Sequence, residues 1–104
     1  MDIVSEIIIN VPLVSNPDDI RVYPNPVNTG KGIEAIFASL PAGKQVTLRI
    51  YNLAGELVFE KCGVNEIRWG LRNEDNEPVA SGIYVYSLRN EVGVIKQGKI
   101  GVVK

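Results

Sequence analysis

A chain of 104 residues, 45% of them hydrophobic, is long enough for one domain that buries its own core without covalent staples. Its formal net charge of -1 comes from 11 basic and 12 acidic residues scattered along the sequence, which excludes the electrostatic footprint of a nucleic-acid binder. There is no histidine, which removes the commonest general base and metal ligand, and the single cysteine, Cys62, excludes an internal disulfide.

No apolar run approaches the ~18 residues of a membrane-spanning helix. The opening MDIVSEIIIN carries Asp2 and Glu6 where a signal peptide is basic, so Met1 is read as the start of a piece cut from a longer protein. Residues 3–11 are β-rich and form either a strand or the last strand of whatever precedes this domain. Pro12, Ser15, Asn16, Pro17, Asp18 and Asp19 then mark a linker, which puts the boundary near Asp19: an N-terminal extension over 1–19 and the domain over 20–104.

Residues 20–23 alternate and then meet Pro24, Asn25 and Pro26. Two missing amide donors confine this segment to a sheet edge that stops at a proline turn. A loop over 28–32 leads to a strand at 33–39, closed by Pro41, Ala42 and Gly43. Val46, Leu48 and Ile50 alternate with Thr47, Arg49 and Tyr51, the clearest half-buried strand in the chain. The turn Asn52, Leu53, Ala54, Gly55 places Asn first and Gly fourth, as a hairpin with a left-handed glycine requires, and the spacing returns at Asn90, Glu91, Val92, Gly93.

Residues 69–88 combine the single Trp, a polar loop and an alternating strand. Ile67 and Trp69 share one face, as do Tyr84, Tyr86 and Leu88; the expectation is a β-pair that lays the indole over both tyrosine rings. Asn73 through Pro78 read as a solvated connection. Strands at 20–23, 33–39, 45–51, 56–62, 65–69, 82–89 and 94–103, with no amphipathic helix, predict an all-β fold: a seven-stranded antiparallel β-sandwich of immunoglobulin or fibronectin-III type.

From Val22 to the end the sequence resembles the C-terminal sorting domains of cargo proteins exported by the type IX secretion system of Gram-negative bacteria. The matching pieces are VYPNPVN at 22–28, LPAGKQVTLRIYNLAGELV at 40–58, PVASGIYVY within the tryptophan unit, and KIGVVK at 99–104. A related similarity, to the immunoglobulin-like domain of flagellar hook-capping proteins, shares the order of tryptophan, polar loop and glycine-x-tyrosine. The resemblance implies a folded address read by an outer-membrane translocon. In many members a sortase-like peptidase removes the domain and links the cargo to the cell surface, so the passenger is secreted or surface-bound. It also implies that Pro24, Asn25 and Pro26 form the opening motif, Gly82 and Tyr84 the middle one, and Lys99, Val102, Val103 and Lys104 the terminal one. The chain departs from the family at Gly70 and Leu71, where an Asp-Gly is common, and at Glu77, where a glycine is common; the shape of the 70–78 loop is therefore open.

Read without the resemblance, Trp69 belongs to the core and the prolines protect an edge. Glu74, Asp75 and Glu77 lack the alternating carboxylates and central glycine of a calcium loop, and no cofactor is expected. Cys62 is a small strand residue with no histidine to activate it, so the domain is expected to be non-catalytic. The terminal strand, with Lys96, Lys99 and Lys104, is a last strand whose lysines discourage pairing, and its edge is expected to offer a row of backbone groups to a partner. The alternative to a sorting module is a structural spacer or a hook-cap-like assembly domain. A carbohydrate-binding module is the weakest reading, since alternation exposes only Tyr51 and Tyr23 for stacking.

Overall fold

A computed structural model describes residues 20–28 and 33–104. The expected boundary near Asp19, the strand over 3–11 and residues 29–32 lie outside them. Eight strands occur among the described residues: β1 (Arg21–Tyr23), β2 (Val27–Asn28), β3 (Ala35–Ala38), β4 (Gln45–Tyr51), β5 (Leu57–Val64), β6 (Ile67–Trp69), β7 (Gly82–Asn90) and β8 (Gly93–Val103). They form two sheets, one of three strands in the order β1-β3-β6 and one of five in the order β2-β8-β7-β4-β5. The fold is all-β and sandwich-like.

Alternation decides which side chains meet between the sheets. In β4, Val46, Leu48 and Ile50 are fully buried while Thr47, Arg49 and Tyr51 are half-buried on the outer face. Ala35 and Phe37 of β3, Ile67 and Trp69 of β6, Tyr84, Tyr86 and Leu88 of β7, and Ile100 and Val102 of β8 complete the core. Trp69 has no exposed surface. Its indole meets Tyr84 edge-on at 5.8 Å and lies tilted against Phe59 at 6.3 Å, and its Nε1–H donates to the carbonyl of Arg72.

Two expectations about this unit are corrected. Strands β6 and β7 do not pair: β6 pairs with β3 in the small sheet and β7 with β4 and β8 in the large one, so the indole crosses the core instead of lying along one sheet. Tyr86 stacks edge-on against Phe37 at 5.3 Å rather than under Trp69. Period-two patterning reports which face is buried, and two strands with matching faces pack equally well side by side or across a core.

The seven-strand antiparallel count is also exceeded. Val27 and Asn28 form the extra strand, paired parallel with Val102 and Val103 at the border of the large sheet. The Pro24-Asn25-Pro26 segment, with cis peptide bonds at Tyr23–Pro24 and Asn25–Pro26, carries the chain from β1 in one sheet to β2 in the other. Strand β1 is an edge, as the prolines require.

The turns follow the asparagines. Gly55 adopts φ +88°, and Asn52 Oδ1 accepts the amides of Ala54 (3.0 Å) and Glu56 (2.9 Å), closing the β4–β5 hairpin. Gly93 adopts φ +145° at the β7–β8 turn, where Asn90 Oδ1 accepts from Val92 N–H at 2.8 Å. A third such turn was not read from the sequence. Asn73 Oδ1 accepts from Asp75 (2.9 Å) and Glu77 (3.0 Å), with Asn76 at φ +65° in the place that Gly55 holds in the first turn.

Candidate recognition site at the end of the large sheet

Three stretches far apart in the chain meet at one end of the five-stranded sheet. Gly82 lies opposite Val102 and Tyr84 opposite Ile100 across the β7–β8 pairing, and β2 runs along the other side of Val102 and Val103. Between β1 and β2, the Asn25 side chain reaches the same edge: its Nδ2 donates to the Lys99 carbonyl (3.0 Å) and its Oδ1 accepts the Gly101 N–H (3.0 Å). A primary amide has one acceptor and donors in one plane, so it supplies what a neighbouring strand residue supplies from its backbone. Prolines on either side of Asn25 cannot donate, and the side chain takes over the pairing.

Close approach is eased by a glycine here. A Cβ on Gly101 would lie 3.3 Å from Pro26 Cβ and 3.7 Å from Ile83 Cδ1, so the bare backbone lets the proline settle on β8. Gly98 serves Tyr86 in the same way, since its Cβ would come within 2.7 Å of the tyrosine hydroxyl.

The structure thus brings together Pro24, Asn25, Pro26, Gly82, Tyr84, Lys99, Val102 and Val103, and it divides them by role. Tyr84 and Val102 face the core, and the Tyr84 hydroxyl donates to the Ala80 carbonyl at 2.7 Å. Burial pushes the Tyr84 and Tyr86 hydroxyls above the ordinary tyrosine pKa, and the bond to Ala80 opposes part of that rise at Tyr84. Gly82 opens β7 at φ +153°. Asn25, Pro26, Lys99, Val103 and Lys104 are exposed. Lys104 follows the last strand residue and lines a cleft with Ile33, Glu34, Phe59 and the 70–78 loop.

The expected open row of backbone groups on the terminal strand is corrected over 99–103, because Asn25 and β2 already cover it. Sequence reading missed Val27, Asn28 and Gly101 as parts of this arrangement. A glycine inside a strand marks close approach of another backbone, and that signal was present at Gly98 and Gly101.

The 70–78 loop closes the opposite border. Leu71 is buried at φ +62°, Val79 N–H donates to the Leu71 carbonyl, and Arg72 and Pro78 form an antiparallel bridge. Glu74 lies on β5: its N–H donates to the Val58 carbonyl at 3.2 Å and its carboxylate accepts from Glu60 N–H at 2.6 Å. Glu77 receives the Asn73 side-chain amide and donates its N–H to Asn73 Oδ1. These carboxylates take part in turn and edge hydrogen bonds, and among the described residues no group of three or more His, Cys, Asp or Glu is placed to hold a metal ion. Cys62 is exposed on β5, with Thr47 Oγ1 3.4 Å from its sulfur.

The model of the family described as "Secretion system C-terminal sorting domain" matches residues 21–102. Among solved structures, the chain is similar to PorZ of Porphyromonas gingivalis, an essential bacterial surface component of that organism's type IX secretion system, with 28% identity and a TM-score of 0.69 over 84% of this chain. It shares its fold with latent dimeric PorU of the same organism, at 23% identity and a TM-score of 0.62 over 81% of this chain. The matched parts are 12% and 9% of those two chains. No curated protein matches the sequence significantly. With residues 21–102, four-fifths of its length, matched by the family model, this chain belongs to the secretion system C-terminal sorting domain family.

Proposed function

We propose that the domain is a non-catalytic address that sends an upstream cargo across the outer membrane through the type IX secretion system, to be released or attached at the cell surface. The observation that carries this reading is the convergence of the opening, middle and terminal motifs on the β2-β8-β7 end of the large sheet. A fold alone does not require these exposed groups. Val103, Lys99 and Lys104 contribute nothing to the buried core, so their place in the terminal motif fits a surface that a partner reads.

In this reading the outer-membrane translocon meets the terminal end of β8, a sortase-like peptidase separates cargo from domain, and residues 1–19 join the two. The immunoglobulin-like assignment is supported by Tyr84, whose hydroxyl bonds back to the backbone four residues upstream in the manner of a tyrosine corner, beside a tryptophan sealed between two sheets. A polymerising spacer is disfavoured, because Asn25 with β2 covers the 99–103 part of one border of the large sheet and Glu74 covers part of the other, which shortens both edges open to strand pairing.

The test is a fusion of the whole chain to the C-terminus of a periplasmic reporter, in a Gram-negative host with a type IX system and in the same host lacking its translocon. The reporter is expected at the surface or in the medium of the first and in the periplasm of the second. Retention in both hosts, or export in both, would overturn the assignment.

A further inference from the structure

Resting on that reading, we infer that the 24–28 arm is a displaceable latch on the terminal strand, and that the machinery reads β8 by adding an extended strand of its own in the arm's place. The arm uses the backbone groups that strand addition needs: the Lys99 carbonyl and Gly101 N–H are taken by one side chain, and the 102–103 edge by a two-residue strand. The hold is short. Pro24 and Pro26 bring no donors, Asn25 and Pro26 are exposed, and only Val27 is anchored in the core.

Beyond the arm, toward the β7–β8 turn, no strand lies against the outer edge of β8 over 93–98 among the described residues. Gln97, two residues before Lys99, faces the same outer side by the antiparallel alternation. An incoming strand can therefore pair first on this open segment and then replace the arm bond for bond over 99–103. An acidic side chain on that strand meets Lys99, which is exposed at the point of exchange. The latch also accounts for a domain that travels the periplasm without pairing its terminal edge with other chains, since the edge is open only along part of its length.

The test locks the arm. The Cβ separation of 3.3 Å between Pro26 and a residue placed at 101 is a few tenths of an ångström below the about 3.5–4.5 Å of a disulfide. In a Cys62→Ser background, Pro26→Cys with Gly101→Cys is fused to the reporter, beside each single cysteine variant, with thermal melts confirming a folded oxidised domain. The expected result is export of the parent and a severalfold lower export of the oxidised double variant than of either single variant. Export of the folded, oxidised double variant at the parent's level would overturn the latch, whereas failure of the parent fusion itself would count against the sorting assignment instead. A second variant stands apart from disulfide geometry: Asn25→Ala is expected to speed hydrogen exchange of the Gly101 amide by about tenfold or more, as loss of two edge bonds implies. Exchange of the Gly101 amide at the parent's rate in a folded Asn25→Ala domain would show that this side chain does not hold the edge and would overturn the latch.

Discussion

Asn52 and Asn73 make the same hydrogen bonds in two turns with different flanks. In each, the asparagine N–H and carbonyl bond to the residues four and three positions on, and the side-chain oxygen accepts two further amides. The first turn was legible because Gly55 marks its left-handed position. The second was not, because Asn76 stands there, and asparagine is the residue that best tolerates positive φ after glycine. Two side-chain acceptor bonds on an exposed turn are worth about 1–2 kcal/mol together. Asn73→Ala is therefore expected to destabilise the domain by about as much as Asn52→Ala, measured from denaturant midpoints at constant slope. An Asn73→Ala variant as stable as the parent would show that the 70–78 loop is held by its other contacts, among them buried Leu71, the Trp69–Arg72 bond and the Glu74 bonds to β5. Asn25 extends the same chemistry from turns to an edge, and nothing in its local sequence announces the strand 74 residues away that it bonds.

Most strands were recoverable from the sequence, with ends shifted by a residue or two, and alternation was clearest in β3, β4 and β6, which each bury one face. Partnership was harder. Trp69 and Tyr84 were rightly placed together, yet they meet across the sandwich from β6 and β7 and not along a shared pairing. Strand β2 escaped notice because two residues after a proline carry no periodicity, and only its contact with Val102 and Val103 gives it strand character. The element-scale consequence is that Trp69 seals both sheets at once. Replacing it with alanine removes its packing on Tyr84 and Phe59 and is expected to cost about 3–5 kcal/mol, a large part of the about 5–15 kcal/mol available to a domain. A thermal melt within a degree or two of the parent would place the indole outside the cooperative core.

At the scale of the molecule, the two ends of the large sheet differ. One end carries the 90–93 turn, where Glu91 and Val92 are exposed. The other gathers the proline arm, the start of β7 and the end of β8. The site residues came from resemblance, because Lys99, Val103 and Lys104 look in isolation like any exposed strand ending. Their convergence is a property of topology: β8 lies between β2 and β7, and no local pattern encodes that order. The sorting account therefore predicts a dependence on position that stability alone does not. The direct measurement is the surface-exposed fraction of a reporter fused to the chain, compared between Lys99→Ala with Lys104→Ala at the motif end and Glu91→Ala with Val92→Ala at the far end, all four changes at exposed sites and all variants matched in melting temperature. Export is expected to fall severalfold for the first pair and to stay at the parent's level for the second. Equal export by both pairs, or loss by the far-end pair alone, would contradict the claim that this end of the sheet is what the secretion machinery reads.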